Sequence, residues 1–118
     1  MDDLEQLAAH LRYRLASRVQ EAQAWRVDAL AALVVRYWPH SHLEAIGTHS
    51  RHHKAIDHAM TLARAQVREQ WEARHGIGPL WPLVLSGVVD GMQLCILDLW
   101  FSTPEWRAKL KRMSMAVD

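Results

Sequence analysis

Residues 83 to 101 read LVLSGVVDGMQLCILDLWF, a helix-length run in which almost every side chain is apolar. A surface helix of a small globule needs one apolar stripe, so a helix apolar nearly all round must be covered from several directions. The chain has 118 residues, half of them hydrophobic and fewer than a quarter charged. That is enough for one folded domain with a core and excludes a disordered tail. What covers this run is the question on which the reading of function turns.

A membrane is one answer the residues reject. Asp90, Gln93 and Asp98 interrupt the run, and each central aspartate costs roughly 2.5 to 3.5 kcal/mol on insertion scales. The N-terminal MDDLEQ is acidic and has no basic region followed by an apolar one, so no secretory signal is expected. The single cysteine, Cys95, lies within the run and reads as a small buried hydrophobe in a reducing compartment, which points to the cytoplasm. The formal net charge of +1 gives no overall pull toward nucleic acid or an anionic membrane.

Helical periods organise the rest. Leu4, Leu7, Leu11, Leu15, Val19, Ala22, Trp25, Ala29 and Leu33 follow 3.6-residue spacing, with Asp2, Asp3 and Glu5 where a helix N-terminus favours negative charge. Unbroken to Trp38, that helix would be about 50 Å long in a domain roughly 35 Å across, so a bend near Asp28 is expected. Pro39 ends it. SHLE at 41 to 44 has the form of a capping box that opens a short helix ending at Gly47. Ser50 opens a longer helix with the stripe Ile56, Ala59, Met60, Ala63, Val67 and Trp71, closed by HGIGP. Pro82 starts the apolar helix, and Thr103-Pro104-Glu105 starts a last, basic one through Arg112. No strand pattern, repeat or linker competes. The expected fold is a single all-α domain over residues 1 to 118, a compact bundle of five to six helices that forms a homodimer.

On a helical wheel the apolar run divides in two. Val84, Leu85, Val88, Val89, Met92, Cys95, Ile96, Leu99 and Trp100 fill an arc of about 160°. Beyond a seam of Ser86, Asp90 and Gln93 lies a second strip, Leu83, Leu94, Leu97 and Phe101, and a seam of Gly87, Gly91 and Asp98 closes the circle. Gly87 and Gly91 form a small-residue notch into which another backbone could pack, at up to about 1 kcal/mol per glycine in helix propensity. One explanation is burial on all sides by the rest of the chain. The other is a partner, favoured by the small number of covering segments and by six tryptophans, since large aromatics concentrate at interface hot spots as well as in cores. On the second explanation, Leu85, Val89, Met92, Ile96 and Trp100 form a partner-binding face. Leu83, Leu94, Leu97 and Phe101, with Gly87 and Gly91, then form a homodimer or second interface.

Chemistry offers less. Glu72 and His75 make one ExxH pair, and His49, His53 and Asp57 recur at four-residue spacing, yet the di-metal bundle pattern needs two such pairs and two further glutamates. No metal or other cofactor is expected. The histidines from 40 to 58 could sense pH but read more simply as a solvated face. No hydrolase, kinase or phosphate-loop signature is present, so no enzyme is expected. Arg107, Lys109, Lys111 and Arg112 make the last helix basic, which leaves a small helical DNA-binding transcriptional regulator as the alternative reading.

With its small size, helical layout and the stretch LWPLVLSGVVDGMQLCILDLWF, the chain resembles the quorum-sensing anti-activators of the QslA type. The resemblance implies a cytoplasmic homodimer that binds the ligand-binding domain of a LuxR-type transcriptional regulator such as LasR. It would occupy the receptor's dimerisation surface and so block DNA binding, with no cofactor and no direct contact with nucleic acid or membrane.

Overall fold

The computed structural model describes residues 2–22, 24–46, 53–76 and 85–115. Among them are seven helices and no strand: α1 (Asp3–Arg14), α2 (Ala16–Ala22), α3 (Ala24–Arg36), α4 (His40–Ile46), α5 (His53–His75), α6 (Ser86–Ser102) and α7 (Pro104–Met115). The all-α expectation holds. The count exceeds five to six because the first amphipathic segment is three helices.

The start of α1 is set as its acidic residues suggest: the Asp2 carboxylate accepts the Glu5 N–H at 2.7 Å, satisfying one of the orphan donors of the first turn. The expected bend near Asp28 is not there. Asp28 lies inside α3 and pairs with Arg12 of α1, so it joins two helices instead of separating them. One break separates α2, ending at Ala22, from α3, starting at Ala24; the other falls at Leu15, which leaves helical geometry at φ −115° and ψ 28°. Its N–H still closes α1 on the Leu11 carbonyl at 2.9 Å, while its own carbonyl accepts from Val19 at 2.8 Å and opens α2. No proline or glycine marks the site. The physical reason for a break is size: the principal extents are 39 × 32 × 29 Å, too short for an unbroken helix to Trp38.

Later boundaries follow the residues more closely. The short helix α4 spans His40–Ile46, so Ser41 sits within it and not ahead of it, and Pro39 accepts through its carbonyl from Leu43 at 3.0 Å. Gly76, at φ 76°, closes α5 with its N–H on Glu72 at 2.8 Å, the left-handed cap that glycine favours. Pro104 opens α7 with the fixed φ suited to a first turn. Gly47, Ser50, Pro82, Leu83 and Val84 lie outside the described residues.

Packing centres on α6. Helices α1, α2, α3, α5 and α7 all lie against it, and α3 is the other hub, touching α1, α2, α5, α6 and α7. The α5 stripe faces this core as spaced: Ile56, Ala59, Ala63, Val67 and Trp71 are buried, with Met60 packed at the margin. Trp100 is buried at the centre, its ring 6.3 Å from that of Trp38. The Arg107 guanidinium lies 5.9 Å from the same ring while its Nε donates to the Trp100 carbonyl at 2.8 Å, which fixes α7 against the end of α6.

Candidate functional site

The wide arc of α6 is core. Leu85, Val89, Met92, Ile96 and Trp100 are each 2% exposed or less, so the face expected to meet a partner is covered by the chain's own helices. The expectation counted too few covering segments, because the division of the first segment supplies α1, α2 and α3 as separate walls. These five side chains could reach another protein only if the bundle opened.

Both polar seams of α6 are stitches to neighbouring helices. On one side the Asp90 carboxylate pairs with Arg64 of α5 at 2.7 Å, and Gln93, 4% exposed, donates Nε2 to the Met60 carbonyl at 3.1 Å. Such a bond offsets the cost of burying an amide. On the other side Arg18 of α2 donates to the Gly87 carbonyl at 3.2 Å, and Asp98 lies 3.6 Å from Arg14 of α1. At Gly91 the glycine notch is occupied from within the chain. A Cβ on Gly91 would stand 3.1 Å from Leu15 Cδ2 and 3.3 Å from Arg18, so close approach is needed there by α2. Gly87 has open space instead, with nothing within 4 Å of the same point. Only Gly91 is therefore closed to a second backbone.

Between the seams lies the second strip, and it faces outward. Leu94 is 66% exposed, and Leu97 and Phe101 are half-buried, resting on the core. Spacings of three and four residues set the three side chains one above another on a single helical face. Leu83, the fourth member expected, lies outside the described residues. Beside Leu94 and Leu97, α5 completes a groove of about 350 Å³ with Ile56 and Met60 as its apolar wall and Asp57, Arg64 and Asp90 along its rim. The contribution of α5 was only partly legible: Met60 stood on the apolar stripe, but nothing in the sequence paired Arg64 with Asp90.

Elsewhere the chemistry is quiet. Among the described residues no group of three histidine, cysteine or carboxylate side chains is placed to hold a metal; Glu72 accepts from Arg68 at 3.0 Å, and the His75 ring stacks 4.2 Å from that of Trp71. His49 and the side chain of His53 lie outside what is described. Burial pushes the Cys95 thiol above its ordinary pKa, away from the thiolate needed for reactivity. The basic helix α7 is matched across the fold: Lys111 bonds Glu44 at 2.6 Å, Arg112 bonds Asp3 at 3.1 Å, and Lys109 reaches Gln6 at 3.2 Å and Glu105 at 3.6 Å. The bond to Lys111 also lowers the Glu44 pKa.

No helix among the described residues is long and apolar enough to cross a membrane. Set against protein-family models, curated proteins and solved structures, the chain has no match.

Proposed function

We propose that this protein is a regulatory binding protein that works by stoichiometric contact, without catalysis or cofactor. Its binding surface is the Leu94, Leu97 and Phe101 strip of α6 with the adjoining α5 groove. Following the resemblance in layout and in the apolar run, its target is the ligand-binding domain of a LuxR-type transcription factor. The protein covers the surface through which that receptor pairs with its own copy and so withholds it from DNA. A buried Cys95 suits action in the reducing cytoplasm.

The observation that carries the reading is Leu94, a large apolar side chain 66% exposed on a helix whose other faces are covered or stitched. Apolar anchors surrounded by charged rims are the usual anatomy of such contacts, and Asp57, Arg64 and Asp90 supply the rim. Only one of the two apolar surfaces of α6 faces outward, so a homodimer formed through α6 and a complex with the target would compete for it. The DNA-binding alternative draws no comparable support, because Lys109, Lys111 and Arg112 each have an acidic partner.

Light-scattering mass after size exclusion tests the reading, on the protein alone and mixed with a LuxR-type ligand-binding domain. A mixed species that forms at the expense of the receptor dimer and disappears with Leu94→Asp is expected. A receptor dimer unchanged by excess protein would remove this target.

A further inference from the structure

A second surface lies on the opposite flank of α5, where two grooves meet at one arginine. The first, of about 340 Å³, runs between α5 and the junction of α3 with α4; Tyr37 and Leu62 contribute apolar surface, and Arg36, His40, His42 and Gln66 the polar groups. The second, of about 260 Å³, is bounded by Leu4, Val35 and Met113 with Arg36 and Arg74. Arg36 lines both. Leu62, 50% exposed, is the largest apolar side chain on the outer side of α5.

The charge distribution is one-sided. Among the described residues no carboxylate lines either groove, although the chain is nearly neutral, with 13 acidic residues against 14 basic ones. Several acids are engaged elsewhere: Asp3, Asp28, Glu44, Glu72, Asp90, Asp98 and Glu105 each pair with a base outside these grooves. His40 is fixed in place at the edge of the first groove. Its ring is held to α7, with Nδ1 2.9 Å from the Ser114 hydroxyl, which itself donates to the Lys111 carbonyl at 2.9 Å.

From this arrangement we infer that the face around Arg36 docks an acidic amphipathic helix of another protein, with apolar anchors entering the two grooves and carboxylates over Arg36 and Arg74. An apolar groove with a rim of one sign selects its partner by the opposite sign, and a helix offers anchors at i, i+4 and i+7 with acids between them. The guanidinium fork of Arg36 has five donors, enough for a carboxylate in addition to contacts within the fold. This surface is separate from the α5–α6 strip and stands or falls independently of it.

The test is fluorescence anisotropy with a fluorescein-labelled model helix bearing leucines at i, i+4 and i+7 and glutamates between them. Its counterpart carries lysine at every glutamate. The full-length protein should bind the glutamate helix and not the lysine helix. Reversing the Arg74 charge and placing a second acid on the exposed rim, with Arg74→Glu and His42→Glu together, should weaken the glutamate helix by roughly tenfold, as expected for two surface charge interactions. Leu94→Asp should leave its binding unchanged. Equal binding of both peptides, no binding of either, or indifference to the double reversal would overturn the proposal. So would sodium dodecanoate binding in the grooves without any binding of the glutamate helix, since that assigns them to a small amphiphile.

Discussion

Single residues carry three of the sharper consequences. Gly87 and Gly91 share one helix and the same spacing motif, yet the space around them differs, so they should respond differently to a side chain. Gly87→Ala adds a methyl to open space and recovers helix propensity, raising stability by about 0.5–1 kcal/mol. Gly91→Leu forces atoms into Leu15 and Arg18 and should cost about 1–3 kcal/mol through overpacking. Urea denaturation midpoints check both signs. His10 gives a pH dependence: burial lowers its pKa, Arg14 lowers it further, and Asp98 opposes them. Its Nε2 is buried without a hydrogen-bond partner, and the ring lies 6.5 Å from that of Trp106. Because the folded pKa is below the unfolded one, unfolded chains take up the proton first. The stability His10 contributes is therefore complete above about pH 6.5 and is lost as pH falls through the folded value. His10→Asn should flatten the stability profile over that window relative to wild type, measured by thermal melts across pH.

At the scale of the element, α6 shows why an apolar helix resists interpretation from periodicity. A wheel separates strips and seams correctly, and the structure uses each as a unit: one strip as core, two seams as stitches, one strip outside. What the wheel does not contain is which strip faces which neighbour, since burial on all sides and burial against a partner have the same pattern. Met92→Asp places a charge at a site with 0% exposure. It should cost roughly 3–5 kcal/mol. Leu94→Asp should change stability by no more than about 0.5 kcal/mol, the usual range for a surface substitution. Circular dichroism under chemical denaturation would show the contrast, and equal losses would mean that Leu94 is covered. By comparison α5 was legible in detail, because its single stripe from Ile56 to Trp71 and its glycine cap leave one orientation. The break at Leu15 was not, because its cause is the overall diameter and no local residue signals it.

Across the whole molecule, the radius of gyration is 13.6 Å, close to the value of about 13.5 Å expected for a compact chain of this length. The other described helices achieve that by wrapping α6 and α3, and ion pairs tie distant parts of the chain together at the surface, Asp3 to Arg112 and Glu44 to Lys111. Exposed pairs of this kind contribute at most about 1 kcal/mol each, so cohesion rests on the shared core. The all-helical class was legible from the start, since stripes at 3.6-residue spacing recur throughout and nothing alternates. Its centre was not, since a hub is defined by neighbours distant in sequence. A hub has a kinetic signature: its amides exchange with solvent only when the core opens as a whole. The amides from Val89 to Trp100 should exchange with an opening free energy equal to that of global unfolding. Those of α4, seven residues long with Leu43 as its buried anchor, should exchange through smaller openings. Hydrogen exchange by NMR, compared with denaturant unfolding at the same pH, measures both. If α6 opened below the global value while α3 and α5 did not, the helix would detach from an otherwise intact bundle. The buried face of Met92 and Ile96 would then become available to a partner after all.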